Sequence, residues 1–293
     1  HGYTSELDST LFYGNITPVN KDRKLAITIN TYGEDVESVG YKIRSLEDKS
    51  LIENTEVSGY QVTDNKINVT LNIKNLLDTG KEYALEVVLK TKKHDAVYYY
   101  TRIMYGTDYN LQKKLDFVRD FNACTFDSAR LKDIGGYLET SSVGDNTNYG
   151  KVNINCSLSQ IGWGDLEPYI ESEITPEIIS INDDVAIIRL DYRVGAANDY
   201  SSSDTYNVNE YYRIRQTNSG FYLLNFEREM NQVFDAKNDL TSSAKINLGI
   251  NSSTYVNCTS DEKGIYTYFV NQGSLWCFSS SSQTFTRVFS FRG

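Results

Sequence analysis

The sequence predicts a mainly β, multidomain protein, and three observations favour this fold class. Tyr, Thr, Val and Ile, which fit the half-buried surface of a sheet, are abundant, with 23 Tyr among 293 residues. Apolar residues mostly alternate with polar ones at a period of two, as in strands with one buried face. Helical periodicity is concentrated between residues 111 and 138. We therefore expect an N-terminal β-sandwich, a central α+β domain and a C-terminal antiparallel β segment.

The N-terminal segment, residues 1–105, reads as six or seven short strands joined by tight turns. In "KINVTLNI" every second residue from Ile67 to Ile73 is apolar, which is the pattern of a strand with one buried face. The runs "EYALEVVLKT" and "AVYYYTRI" flank a polar turn and predict a closing hairpin. Short strands at this spacing are typical of an antiparallel sandwich.

One stretch of this segment, "LLDTGKEYALEVVL", predicts a tyrosine corner. Leu77, the turn at Gly80 and Tyr83 have the spacing at which a Tyr ring packs under a loop and its hydroxyl caps a backbone group. The stretch resembles the same corner of fibronectin type III domains. That resemblance implies an immunoglobulin-like sandwich, a fold that mostly serves as a spacer or binding module.

The central segment, residues 106–240, begins with two predicted helices. In the first, Leu111, Leu115, Val118 and Phe121 share one stripe. The second is expected over "SARLKDIGGYL" (128–138), where Asp127 is a candidate N-cap.

Strands follow near 150–158, 171–181 and 185–194, and then in the hairpin 210–227. The predicted inner face carries these residues: Ala186, Ile188, Leu190, Tyr192, Val194, Tyr212, Ile214, Tyr222, Leu224 and Phe226. The outer face is expected to carry a ladder of Arg189, Arg213 and Arg215 with Asp191 and Glu210.

Two helices before a three-strand meander give an α+β layer in which the helices cover the apolar face. This order, and the phrase "YYRIRQTNSGFYLLNF", are similar to the nuclear-transport-factor-two-like (SnoaL-like) cone fold. The resemblance implies a sheet that curls around a pocket.

If that pocket is catalytic, its groups must project from the concave face of the sheet or from the first helix. Asp116 and Asp120 lie one turn apart on the helix, and Tyr192, Tyr212 and Tyr222 lie on the predicted inner face. The alternative, which we favour, is that both aspartates are solvated and that the tyrosines form core against the helices. Nucleophile–base chemistry is not expected, because the only histidines are His1 and His94.

The C-terminal segment, residues 241–293, consists of short strands with regular turns: "STYVNCT", "GIYTYFVNQ", "GSLWCFS" and "TFTRVFSF". Four such strands resemble one blade of a β-propeller. A single blade buries too little surface alone, so we expect it to dock on the preceding domain or, as we favour, the natural chain to continue beyond Gly293.

We expect no metal and no cofactor. The four cysteines form no CxxC pair, and neither acidic loop, 198–204 or 259–264, has the ligand spacing of a calcium loop. Four buried free thiols are the favoured interpretation. The alternative is two disulfides, Cys124 with Cys156 and Cys258 with Cys277.

The formal charge of −10 argues against nucleic acid as a partner, since a phosphate backbone requires a basic face. No window has the apolar length of a membrane span, and an anchor or signal is expected outside this sequence, which begins without Met.

In architecture and composition the chain resembles membrane-anchored surface proteins of Gram-positive bacteria. The resemblance implies an extracytoplasmic, cell-surface or secreted scaffold or interaction module without catalytic activity, with a protein, cell-wall or glycan partner. The alternative is a cone-pocket enzyme, or a glycan- or small-molecule-binding protein, that uses carboxylate and Tyr groups.

Overall fold

The computed structural model describes residues 2–63, 65–106, 109–197, 203–236, 241–242, 245–248 and 257–290. Strands contain 50% of the described residues and helices 11%, which confirms the mainly β class. The chain forms two units. The first comprises His1–Asp116, Glu177–Ile188 and Ile214–Phe221, and the second comprises Phe117–Pro176, Arg189–Arg213 and Tyr222–Gly293. The domain boundaries predicted after residues 105 and 240 stay predictions.

The described part of residues 2–106 begins with a 3-10 turn (Ser9–Leu11) and continues as strands. They are β1 (Ile16–Val19), β2 (Lys24–Asn30), β3 (Val36–Ser45), β4 (Leu51–Glu56), β5 (Gln61–Thr63), β6 (Lys66–Asn72), β7 (Glu82–Thr91) and β8 (Val97–Tyr105). One sheet has the order β1-β8-β7-β3-β4 and the other has the order β2-β6-β5. All pairings are antiparallel except that of β1 with β8, which is parallel.

The two sheets of this unit share one apolar core. On β6, Ile67, Val69 and Leu71 are buried and the residues between them are exposed, so the predicted period of two is confirmed. They pack with buried residues of β3 and β7, among them Val39 and Leu85. Alternation on both sheets therefore places two apolar faces against each other.

A buried carboxylate also joins the two sheets. Glu53 of β4 accepts hydrogen bonds from the Tyr41 hydroxyl at 2.6 Å and from the backbone N–H of Lys74, just after β6, at 3.0 Å. Burial, and the adjacent Glu53 carboxylate, raise the pKa of Tyr41 well above its usual value. Tyr41 therefore stays protonated and donates, which satisfies a carboxylate that would otherwise be costly to bury.

The tyrosine corner has the predicted hydrogen bond. The backbone N–H of Asp78 donates to the Tyr83 hydroxyl at 2.8 Å, and both Leu77 and Tyr83 are buried. Gly80 lies in the turn between them with φ of +78°, a conformation that costs glycine little.

The described residues between 109 and 236 form two α-helices, a 3-10 helix and six strands. They are α1 (Leu111–Thr125), the 3-10 helix (Leu131–Tyr137), β9 (Lys151–Asn153), α2 (Leu158–Ile161), β10 (Tyr169–Ile170), β11 (Thr175–Ile181), β12 (Val185–Ala197), β13 (Ser203–Thr217) and β14 (Gly220–Gln232). The strands form a sheet of order β10-β12-β13-β14-β9, with β11 also paired to β12.

Two local predictions for this part need correction. The second helix is shorter and of 3-10 type, because the Asp127 carboxylate accepts from the N–H of Ala129 at 2.9 Å and holds a turn there. The strand expected near 150–158 ends at Asn153. The Ser157 side chain then accepts from the N–H of Gln160 at 3.2 Å and caps α2.

The last part of the chain forms small sheets, as its turn spacing predicted. The strands are β15 (Thr241–Ser242), β16 (Lys245–Ile246), β17 (Cys258–Ser260), β18 (Tyr266–Asn271), β19 (Ser274–Ser279) and β20 (Thr284–Ser290). β17 to β20 form an antiparallel meander in chain order, and β15 pairs with β16. Phe234 packs edge-on against Phe269, Trp276 and Phe285 of the meander at 4.9–5.8 Å between ring centroids. The calcium-loop candidate at 198–204 lies largely outside the described residues.

All four cysteines are free thiols. Cys258 and Cys277 lie opposite residues of β18 from its two sides, so that strand separates them and rules out the disulfide considered above. Cys124 and Cys156 are buried, whereas Cys258 is exposed. The prediction of four buried thiols is therefore correct in that all are free but wrong for the burial of Cys258. No helix in the described ranges is long and apolar enough to cross a membrane.

Replacing Tyr83 with Phe tests the tyrosine corner. The change leaves the Asp78 N–H without its acceptor, so we expect the free energy of unfolding to fall by about 1–2 kcal/mol. Urea unfolding followed by circular dichroism measures it. Tyr32→Phe, at a strongly exposed phenol, is the control and should change stability by less than about 0.5 kcal/mol. Equal effects of the two changes would contradict a capping role for Tyr83.

Candidate functional site

The inner face of the sheet in the second unit, where the cone resemblance implied a pocket, is filled by aromatic rings. Phe121 of α1 meets Tyr212 of β13 and Phe226 of β14, with ring centroids 5.6 Å and 5.4 Å away. The rings of Tyr212 and Phe226 are 5.1 Å apart, and all three side chains are fully buried or nearly so. The helix stripe and the strand alternation thus produce a closed aromatic layer.

A buried carboxylate, Glu210, lies beside this layer. One of its oxygens, Oε2, accepts from the Tyr212 hydroxyl at 2.6 Å and from the Asn122 side-chain amide at 2.8 Å. The same amide nitrogen of Asn122 donates to the Tyr192 hydroxyl at 3.2 Å. Burying a carboxylate without partners would lower the free energy of unfolding by several kcal/mol, so Glu210 requires these donors to lie in the interior.

Arg228 on β14 supplies the opposite charge. Its guanidinium nitrogen Nη1 is 3.8 Å from the other oxygen of Glu210, and both residues are completely buried. Nη1 and Nη2 also donate to the backbone carbonyls of Ile161 and Gln160 at 2.9 Å and 3.0 Å. These carbonyls lie at the C-terminal end of α2, where a helix lacks internal donors and favours a cation.

Trp163 covers the guanidinium from the other side. The Arg228 guanidinium carbon is 3.4 Å from the Trp163 ring centroid, a close stacking contact. The indole N–H donates to the Thr125 hydroxyl at 3.3 Å, and that hydroxyl donates to the Asn122 carbonyl at 2.8 Å. Trp163 has a φ of +68°, a strained conformation for a bulky residue, which these contacts hold in place.

The electrostatics of this buried network favour neutral phenols. Burial, together with the nearby charge of Glu210, raises the pKa of Tyr192 and of Tyr212 well above the usual value. Burial lowers the pKa of Arg228, and the negative charge of Glu210 opposes that shift. Both tyrosines therefore keep their protons at neutral pH and are poor proton donors for catalysis.

The five residues predicted for a catalytic pocket do not converge. Asp116 accepts a hydrogen bond from Gln112 at 2.7 Å and Asp120 is ion-paired with Arg130, both on the exposed side of α1. Tyr192 and Tyr212 are buried and are linked through Asn122 and Glu210.

Tyr222 does not lie on the inner face, as its place in the alternation had predicted. Its side chain is 53% exposed, whereas the neighbouring Leu223 is buried. Further along β14, Phe226 and Arg228 are buried. The step of three from Leu223 to Phe226 breaks the period of two, so Tyr222 belongs to the opposite face.

The expected outer ladder was wrong for Glu210. This residue lies two positions before Tyr212 and therefore shares its inward face, a parity that the sequence displays. Arg228 is likewise two positions after Phe226. On the outer face, Arg189 and Asp191 do form an ion pair at 3.0 Å.

No group of three or more His, Cys, Asp or Glu side chains in the described ranges is arranged to hold a metal ion. A scan against protein-family models and a search of curated proteins found no match to this chain. The functional interpretation therefore depends on the geometry of the molecule itself.

Arg228→Met tests the buried ion pair. Methionine keeps much of the side-chain volume but leaves the Glu210 carboxylate without a counter-charge, so we expect a loss of about 3–5 kcal/mol in the free energy of unfolding. Adding Glu210→Gln to this variant should restore part of the loss. Arg189→Met, at an exposed ion pair, is the matched control with an expected loss below about 1 kcal/mol. Losses that simply add in the double variant would contradict the coupling.

Alkaline unfolding tests the buried phenols. In the unfolded chain tyrosine ionises near pH 10, whereas the raised pKa of Tyr192 and Tyr212 keeps them protonated in the fold. Their contribution to stability is complete below about pH 10 and is lost as the pH rises towards the folded-state pKa. Between these two pKa values, each of the two tyrosines should make the free energy of unfolding fall by a further ~1.4 kcal/mol per pH unit.

Tyr212→Phe should therefore flatten the dependence of unfolding free energy on pH above about pH 10 by that amount, and adding Tyr192→Phe should double the change. Urea unfolding at a series of alkaline pH values measures these slopes. Tyr212→Phe also removes the hydrogen bond to Glu210. That loss lowers the free energy of unfolding equally at every pH, so it does not alter the slope of its pH dependence. Parallel curves for the wild type and both variants would contradict the burial effect.

Proposed function

We propose that this chain is an extracytoplasmic scaffold or interaction module of a bacterial cell surface, without catalytic activity. The observation that carries the proposal is the occupied interior at the place where a cone-fold enzyme would hold its substrate. The aromatic layer of Phe121, Tyr212 and Phe226 fills that place. Protein groups hydrogen-bond Glu210 at Oε2 and Arg228 at both terminal nitrogens, whereas Glu210 Oε1 and Arg228 Nε have no hydrogen-bond partner among the described residues.

Acid–base catalysis requires a titratable group within hydrogen-bond reach of a substrate. The buried carboxylate Glu210 has protein donors at one oxygen and a guanidinium beside the other. The aspartates proposed as an alternative, Asp116 and Asp120, lie on an exposed helix surface with neighbouring partners. Solvated carboxylates of this kind support a structural or surface role.

Exposed apolar side chains on the β17–β20 meander support an interaction role. Tyr266, Tyr268 and Val270 occupy alternate positions of β18 and are exposed, as are Val288 and Phe289 on the edge strand β20. Apolar groups grouped on one sheet are a common feature of protein interaction surfaces. The extracytoplasmic location is supported by composition and by the architectural resemblance described above.

The proposal is tested by a turnover screen and by protease treatment of intact cells. The purified chain is incubated with aryl glycosides and small carbonyl substrates, beside the variant Glu210→Gln. We expect no turnover above buffer. Turnover that disappears in a folded Glu210→Gln variant would overturn the non-catalytic assignment.

In intact cells of the source bacterium, external protease should degrade this protein while a cytoplasmic marker survives. Protection of the chain until the cells are lysed would overturn the extracytoplasmic location. The two arms test the two parts of the proposal separately.

A further inference from the structure

The outer face of the sheet in the second unit carries a cleft of about 860 Å³. It is lined by Arg193 of β12 and Asn207 of β13, and by Gln272 and Arg287 of the β17–β20 meander. The side chain of Gln272 donates to the Gln232 carbonyl at 3.0 Å and fixes the meander beside the sheet. The volume lies within the range of roughly 300–1,000 Å³ that is usual for ligand sites.

The cleft brings together two arginines whose charge is not neutralised. In the described ranges, neither Arg193 nor Arg287 has a side-chain hydrogen bond or ion pair. The single carboxylate of the cleft, Asp191, is already engaged by Arg189 at 3.0 Å and by Asn209. Two uncompensated positive charges in one concavity are notable in a chain with a formal charge of −10.

The local backbone aims Arg287 at the cleft. Leu275 pairs with Phe289 and Trp276 pairs with Arg287, so Val288 is an extra residue in β20. Such a bulge bends a strand and redirects the side chains beside it, and bulges are frequent next to functional sites. Phe285 lies two positions before Arg287 on the same strand, so the two side chains share one face of the meander. Phe285 packs against Phe234 on that face.

The remaining polar groups suit hydroxyl-bearing ligands. Asn207 lines the cleft with an amide that can both donate and accept. Ser172, which also lines the cleft, accepts from the Arg193 backbone N–H at 2.8 Å, and this bond fixes the position of its hydroxyl. Gln272 and Gly273 form a tight turn with φ of +48° and +71°, so this side of the cleft is well defined before any ligand arrives.

We infer that this cleft binds an anionic oligosaccharide, with its carboxylate or phosphate between Arg193 and Arg287 and its hydroxyls on the amide and serine groups. Guanidinium matches both anions in two-pronged geometry, and the neutral polar groups match sugar hydroxyls. The inference rests on the proposal that the chain acts by binding, and it adds the ligand class and the place.

Titration calorimetry of the whole chain tests the inference with three probes: trigalacturonate, its neutral analogue galactotriose, and a phosphorylated galactotriose. We expect binding of at least one anionic probe and no detectable binding of the neutral one. The two anionic probes distinguish carboxylate from phosphate as the natural anion. Binding should weaken as salt rises, because the contacting charges are partly exposed.

Arg193→Gln and Arg287→Gln should each weaken the binding about tenfold, and the double variant about a hundredfold. Arg213→Gln is the matched control, since Arg213 is an exposed arginine of β13 outside this cleft whose replacement removes the same charge. It should change the affinity less than twofold. Thermal unfolding confirms that each variant is folded.

Absence of binding by both anionic probes would overturn the inference, as would equal weakening by Arg213→Gln or equal binding of galactotriose. Mass spectrometry of the probes after titration separates this result from the proposed function. Cleaved probe would overturn the non-catalytic assignment, whereas intact probe that fails to bind would overturn the cleft alone.

Discussion

The second unit depends on one constraint, which is that a carboxylate in an apolar interior must be neutralised and hydrogen-bonded. Glu210 meets it with groups from three elements: Asn122 on α1, Tyr212 on its own strand β13 and Arg228 on β14. Each of them must be present at once, because removing a single partner leaves a charge whose burial costs several kcal/mol. The carboxylate therefore fixes the rotation of α1 and the pairing register of two strands.

Arg228 extends the same constraint beyond the sheet. Its donors need acceptors, and the carbonyls of Gln160 and Ile161 supply them at the end of a helix of four residues. So short a helix is not stable alone, and the guanidinium stabilises it by binding the carbonyls of its last two residues. Trp163 stacks on the guanidinium, and its indole N–H donates to Thr125 of α1, so the network ends on the helix that carries Asn122.

Local pattern predicted the features that local sequence determines. The alternation of β6 and β12 and the corner at Tyr83 follow from spacing within one segment, and all of them are present. The predicted stripe of α1 is buried only in its second half, because Val118 and Phe121 are buried whereas Leu111 and Leu115 are half-buried. The buried network escaped prediction because its members are far apart in sequence and meet only in the fold. Glu210 was predicted on the outer face with the arginines, although it lies two positions before Tyr212 and alternation therefore places it on the inner face. Tyr222 was misplaced because one irregularity in β14 reverses the face of every residue before it.

The two faces of β12 and β13 have different roles, and their alternation keeps those roles independent. Tyr192 and Tyr212 point inward, where their polar groups are satisfied within the protein. Arg193 and Asn207 face a cleft on the other side. An interior in which groups from three elements hold Glu210 has little capacity to change with a ligand. The outer face can vary in charge and shape without disturbing that interior, since successive side chains lie on opposite sides of a strand. Recognition is therefore expected on the outer face and stability from the inner one, which is the reverse of a cone-fold enzyme that binds its substrate inside.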